Sequence, residues 1–285
     1  MSTDVVVYCN GDSFVYGDEL GDDLISGHPG YYDYDLIDTE AYRKWLGDSH
    51  TPGHKLYIER NDKNHFIRHK NQKLSFPNKI KQLTGFEVIN KAVYANTQNR
   101  IARQTITDLH QLKKEYSGKI AAIIGTTSIG RIEIPYNINY EDKKNLTYVD
   151  AWKNIMLPRP IGHGTNHYEK SVNNLIEFYN HYYTDYHLLV EFYKNISSIT
   201  NYCKLNDISL FYVTGHTTVE QTLKFDTKNL QDYNTLVEIS ELNYAVKLDD
   251  IARTINKNVM CPGRHFSEIV HQHAAERLVE LIQAK

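Results

Sequence analysis

The chain has 285 residues, 41% of them hydrophobic and 24% charged, with a formal net charge of -3. That is long enough to bury a sizeable core, and it suits one domain, residues 1–285, carrying insertions. The charge excludes the basic stripe of a nucleic-acid binder, and no apolar run reaches the length needed to span a bilayer.

The first element is the β-branched run Val5-Val6-Val7, continued by Tyr8 and Cys9, which reads as a buried strand. It breaks at Asn10-Gly11-Asp12-Ser13, and Gly17 follows within a turn. A serine at a tight turn after a strand sits where open α/β sheets place their sites, at the carboxyl edge. Backbone N–H groups beside it can face developing negative charge. Asp12 and Ser13 also suit the cap of a helix, and both readings stay open here. No basic segment precedes the run, so no signal peptide is expected and folding in a cytoplasm is. The cysteines, Cys9, Cys203 and Cys261, are scattered and odd in number, which fits a reducing compartment rather than a disulfide framework.

Residues from about 18 to 75 form a long polar insertion holding the Tyr31, Tyr32 and Tyr34 group and one helical piece at 39–46. A loop of this length in a compact domain suits a lid or a substrate wall. Phe76 to Thr84 reads as a helix, with Pro77 near its start and Gly85 after its end. Phe86 to Asn90 is the second strand. It feeds Lys91-Ala92-Val93-Tyr94-Ala95-Asn96-Thr97-Gln98-Asn99-Arg100 and a helix from Gln98 to Ser117 with Ile101, Thr105, Leu109, Leu112 and Tyr116 on one face. Lys119 to Gly125 is the most apolar strand, as a sheet centre requires. It ends in Thr126-Thr127-Ser128-Ile129-Gly130-Arg131.

A second polar insertion runs from Pro135 to about Thr184. His163 and His167 in it have the spacing of a helical metal pair, but they stand in a Gly/Pro-rich loop, so neither a metal nor a cofactor is expected. Tyr186 to Leu205 reads as a helix with Leu189, Phe192, Tyr193, Ile196, Ile199 and Cys203 inward, and Asp207 to Gly215 as the fourth strand. The stretch 222–256 reads as mixed helix and loop. Asn258-Val259-Met260 reads as the fifth strand and leads to Cys261-Pro262-Gly263-Arg264-His265-Phe266-Ser267. Ser267 then caps a terminal helix whose stripe is Ile269, His273, Leu278, Leu281 and Ile282.

Strands alternating with helices predict a doubly wound α/β fold, a three-layer α/β/α sandwich on a five-stranded parallel sheet. Four blocks of this chain resemble the SGNH (GDSL-type) hydrolases, flavodoxin-like esterases, lipases and carbohydrate deacetylases. Gly11-Asp12-Ser13-Phe14 with Tyr16-Gly17 resembles the first block, in wording closest to a bacteriophage-associated branch. Asn90-Lys91-Ala92-Val93-Tyr94-Ala95, with Asn99 and Arg100 downstream, resembles the second. The resemblance implies Ser13 as nucleophile and His265 as base. It implies an oxyanion hole from the N–H groups of Ser13 and Ala95, where the family has glycine, and from Thr127 or Ser128, where most members have asparagine. Thr127, Ser128 and Arg131 match the phage-like pattern. Pro262 stands where the family has the acid that orients the base, so a backbone carbonyl or another acid, such as Asp249 or Asp250, would have to hold the ring; Asp12, Asn99, Arg131 and His271 are further candidates for support. The resemblance implies a small acyl-ester or glycan substrate. The alternative is a catalytically weak SGNH-shaped virion component or sugar-binding module, in a homo-oligomer or a virion assembly.

Overall fold

The computed structural model describes residues 5–17, 72–93, 96–135, 152–156, 185–215, 231–255 and 266–285. Five strands build one parallel sheet: β1 (Val5–Asn10), β2 (Glu87–Asn90), β3 (Lys119–Gly125), β6 (Ser209–Thr214) and β7 (Tyr244–Lys247), in the order β2-β1-β3-β6-β7. A separate antiparallel pair joins β4 (Arg131–Pro135) to β5 (Trp152–Met156). The helices are α1 (Ser13–Tyr16), α2 (Phe76–Thr84), α3 (Gln98–Glu115), α4 (Asp185–Leu205), α5 (Gln231–Ser240), α6 (Leu248–Ile255) and α7 (Glu268–Gln283).

The strand pattern sorts two cores. On β1 and β3 every side chain from Val6 to Asn10 and from Ile120 to Gly125 is buried, so both faces are covered. Val7, Cys9, Ala121 and Ile123 face α2, α6 and α7, where Phe76, Ile80, Ala252, Val270 and Leu278 pack. Tyr8, Ile120, Ala122 and Ile124 face α3 and α4, where Ile101, Leu109, Leu189, Phe192 and Ile196 pack. Period-two alternation thus feeds two helix layers, and the molecule is the three-layer α/β/α sandwich that the sequence predicts. The order has the form 2-1-3-4-5 of flavodoxin-like sheets, whose strand order reverses between β1 and β3.

Three expectations need correction. The fifth sheet strand is Tyr244–Lys247, inside the stretch read as helix and loop; 258–260 lies outside the described residues. Tyr244-Ala245-Val246-Lys247 is a short edge strand with one fully buried side chain, Val246, so it lacks the apolar run that marks a central strand. The second insertion, read only as polar, holds a strand, Trp152–Met156, that pairs antiparallel with Arg131–Pro135. On α7 the inward face is Val270, His271, Ala274, Ala275, Leu278 and Ile282, while Ile269 and His273 are exposed. Ala274 and Ala275 let α7 approach closely, and α7 packs extensively on α2.

Candidate active site

β1 ends inside the sheet, between β2 and β3, and the chain turns at Asn10-Gly11-Asp12 directly into α1. The turn is fixed by its own side chains. Asn10 Oδ1 accepts the Gly11 N–H at 2.8 Å, while its Nδ2 donates to Thr105 Oγ1 at 3.1 Å and Tyr8 OH at 3.3 Å. Asp12 is the N-cap of α1, and its Oδ1 accepts the Phe14 N–H at 3.1 Å. Gly17 closes the helix at φ 83°, a left-handed conformation that glycine adopts without strain. Gly11 and Gly125, at the ends of neighbouring strands, approach so closely that a Cβ on either would collide with Val15 Cγ2. Ser13 is the first residue of α1 and is buried. It therefore stands at the carboxyl rim, beside the point where strand order reverses. The strand-ending turn with its helix cap, one of the two sequence readings, is present: Asp12 caps, and Ser13 opens the helix.

The loop after β2 is tied to this turn. Asn96 Nδ2 donates to Gly11 O at 3.0 Å, and Val93 N donates to the same oxygen at 3.2 Å. Asn96 Oδ1 accepts the Thr97 N–H, and Thr97 caps α3 by accepting the Arg100 N–H. Asn96 was not singled out from sequence; an Asn-Thr pair just before a helix signals a cap, not a brace to another strand. Ala95 lies outside the described residues. Asn99 is exposed and accepts a hydrogen bond from Asn195 Nδ2 at 2.6 Å.

After β3, the three hydroxyl residues differ in surroundings. Thr126 N donates to Val213 O at 3.0 Å, and its Oγ1 bonds to Tyr244 OH at 3.3 Å. Thr127 is buried; its N–H donates to Gln98 Oε1 at 3.3 Å, and its Oγ1 accepts Arg131 Nη1 at 2.8 Å. Arg131 Nη1 also donates to Asp12 Oδ2 at 3.0 Å, an ion pair whose two side chains are 16% and 3% exposed. Ser128 is exposed, and Gly130 N lies 3.4 Å from its Oγ. A cavity of about 110 Å³ lies behind this loop, bordered by Gln98, Asn99, Arg131, Glu133 and Phe192. Glu133 is clamped there by both of its oxygens on Arg103 Nη2, at 2.7 and 2.8 Å; burial raises its pKa, partly offset by the Arg103 charge.

His265 and Pro262 lie outside the described residues. Phe266, the residue after His265, is buried, and its ring lies 5.8 Å from that of Phe14, the residue after Ser13. Ser267 holds the N-cap position of α7, but its side chain makes no cap bond and its Oγ is buried without a partner. The cap is thus positional only, a correction to the sequence reading. His271 is buried in the α2–α7 contact, where its Nδ1 accepts the Phe76 N–H at 3.2 Å and its ring stacks on Phe76. Asp249 and Asp250 stand on the first turn of α6, which leaves the same rim from β7. Arg253 Nε and Nη2 both approach Asp249 Oδ2 at 3.3 Å. Asp250 is exposed and borders a cavity of about 700 Å³ with Lys247, His273 and Arg277. His163 and His167 are not among the described residues, which hold no group of three or more candidate metal ligands. No described helix is long and apolar enough to cross a membrane.

Sheet order and rim define the class: an open, flavodoxin-like α/β protein with a serine at its switch point. No family model matches the chain, and no curated protein matches it either. Solved structures that are similar in chain course include a protein assigned to the G-D-S-L lipolytic family from Desulfitobacterium hafniense DCB-2, at 11% identity and a TM-score of 0.42 over 96% of this chain and 98% of that one. A carbohydrate esterase family 2 enzyme with a carbohydrate-binding domain, from Corynascus thermopiles (Myceliophthora fergusii), gives 9% and 0.47 over 98% of this chain and 65% of that one. A further carbohydrate esterase, described as having divergent catalytic and non-catalytic binding functions, gives 12% and 0.43 over 100% and 70%. At these identities and scores no residue's role passes from them to this chain.

Proposed function

We propose that the protein is a serine esterase of the SGNH type that hydrolyses a small acyl ester, with Ser13 as nucleophile and His265 as general base. The observation that carries this reading is the contact between Phe14 and Phe266. That contact joins the start of α1 to the start of α7, and it supports pairing Ser13 with His265 because each directly precedes one of the two phenylalanines in sequence. Ser13 also opens a helix at the sheet's switch point, where α/β folds bind their ligands.

In this reading His265 takes the proton of Ser13 Oγ as that oxygen attacks the ester carbonyl. The oxyanion receives the N–H groups of Ser13 and Ala95 and a hydroxyl from Thr127 or Ser128. The tetrahedral species expels the alcohol, which takes the proton from His265. Water then attacks the acyl-enzyme, His265 accepting its proton, and collapse returns that proton to Ser13 Oγ as the acid leaves. Asp249 or Asp250, on the α6 turn, orients the imidazole in place of the acid missing at Pro262. An O-acetyl group on a carbohydrate is the substrate that the family resemblance suggests.

Turnover of p-nitrophenyl acetate tests this. Wild type should release p-nitrophenol well above Ser13→Ala, and equal rates would remove the esterase reading. Pro262 favours a second reading, a non-catalytic sugar-binding or virion component, because a base without its acid loses orientation. That reading predicts equal rates together with glycan binding.

A further inference from the structure

We infer that Arg131 is a positioning residue that makes the hydroxyl of Thr127, and not that of Ser128, the third oxyanion donor. This rests on the esterase reading and goes beyond it by saying which donor acts and what presets it.

A threonine hydroxyl carries one proton and two lone pairs, and in isolation it rotates freely between donating and accepting. A guanidinium N–H can only donate. The 2.8 Å contact from Arg131 Nη1 therefore fixes Thr127 Oγ1 as an acceptor on that side, and its own proton must point elsewhere. Among the described residues the Thr127 hydroxyl meets no acceptor of its own. The backbone N–H of Thr127 is already given to Gln98 Oε1, so the hydroxyl is the donor this residue has left. The cation beside the oxygen draws electron density from it, which strengthens the O–H as a donor. The buried setting strengthens this polarisation, because screening by water is weak there.

Arg131 is itself fixed. The second N–H of Nη1 goes to Asp12 Oδ2, and Asp12 Oδ1 caps the helix that Ser13 opens. One carboxylate thus ties the nucleophile's turn to the polarised hydroxyl through a single nitrogen, which sets their separation before substrate arrives. Arg131 Nε is buried without a partner, so the side chain holds this pose although one donor goes unsatisfied. The two neighbouring hydroxyls do not compete. Thr126 Oγ1 bonds to Tyr244, and Ser128 is exposed to water, where a hydroxyl is neither preoriented nor polarised.

The test is a double-mutant cycle on p-nitrophenyl acetate turnover, with Thr127→Val, Arg131→Gln, the double variant and Ser128→Ala. Losing an oxyanion donor lowers kcat about 10²–10³-fold, so Thr127→Val should fall by about that much with KM within about twofold. Arg131→Gln should lower kcat at least about 10-fold, and adding it to Thr127→Val should cost less than about twofold more. Ser128→Ala should cost far less than Thr127→Val. Losses that multiply in the double variant, or a larger loss from Ser128→Ala than from Thr127→Val, overturn the assignment. A purely structural arginine would give multiplied losses. If Arg131→Gln does not fold, Arg131→Lys, which keeps the charge and loses the fixed fork, takes its place under the same criterion. A fluorophosphonate adduct mapped in parallel separates the failures: an adduct on Ser13 with multiplied losses sinks the role of Arg131 alone, and none on Ser13 sinks the esterase reading and the arginine's role together.

Discussion

Asn10 and Asp12 illustrate how much of the rim is fixed by side chains reaching their own backbone. Each accepts a nearby N–H, and each reaches across to another element, Asn10 to α3 and Asp12 to Arg131. The local half of this was legible: Asn and Asp at a turn signal such bonds. The distant half was not, because nothing in the order of residues says that position 131 returns to position 12. Cys9 shows the same limit. It lies in the motif strand, yet its side chain faces the α2, α6 and α7 core, where burial drives its thiol pKa far up. Burial pushes the Cys203 thiol up to about 12. Raised values keep both as neutral thiols at pH 8, and thiolate is the nucleophile. Iodoacetamide at pH 8 should therefore leave Cys9 and Cys203 unmodified in the native protein and alkylate both in urea, as peptide mass spectrometry would read. Native modification of Cys9 would mean the sheet centre opens far more readily than its burial implies.

Among the elements, the strongest sequence patterns survived and the weak ones moved. β3 spans Lys119–Gly125 as predicted, and α4 buries every residue of its predicted stripe. Both have long apolar periodicity and core on more than one side. The edge strand β7 escaped notice because four residues at a sheet edge carry almost no period. The α7 stripe shifted by about one residue because two alanines, weakly apolar by themselves, face α2. His271 belongs to that contact, where it accepts the first N–H of α2, and Lys79 reaches Glu268 at 2.7 Å across the same seam. Replacing His271 by leucine keeps the bulk but strands the buried Phe76 N–H. The expected cost is about 1–3 kcal/mol in urea unfolding, with kcat within about threefold of wild type. An unchanged midpoint would show that the bond adds nothing; a collapse of kcat at full stability would place His271 in the chemistry instead of the frame.

At the scale of the molecule, the sheet order does what the alternation of strands and helices implied: it sets β1 beside β3 and brings their carboxyl ends to one rim. Fold class was thus readable from the periodicities, while the site was readable only in part. Ser13, Thr127 and Arg131 fall on that rim, and α6 with Asp249 and Asp250 starts from it. His271 falls in a helix seam, and Asn99 faces a neighbouring helix. The central claim concerns two residues that are 252 positions apart in sequence and act as one unit. Its most direct measurement is the rate of fluorophosphonate labelling, with the modified residue mapped, in wild type and in His265→Ala. The account predicts a single adduct on Ser13 that forms at least about 10²-fold more slowly without the imidazole, the usual scale of a general base. Labelling of some other residue, or equal rates in the two proteins, would contradict it.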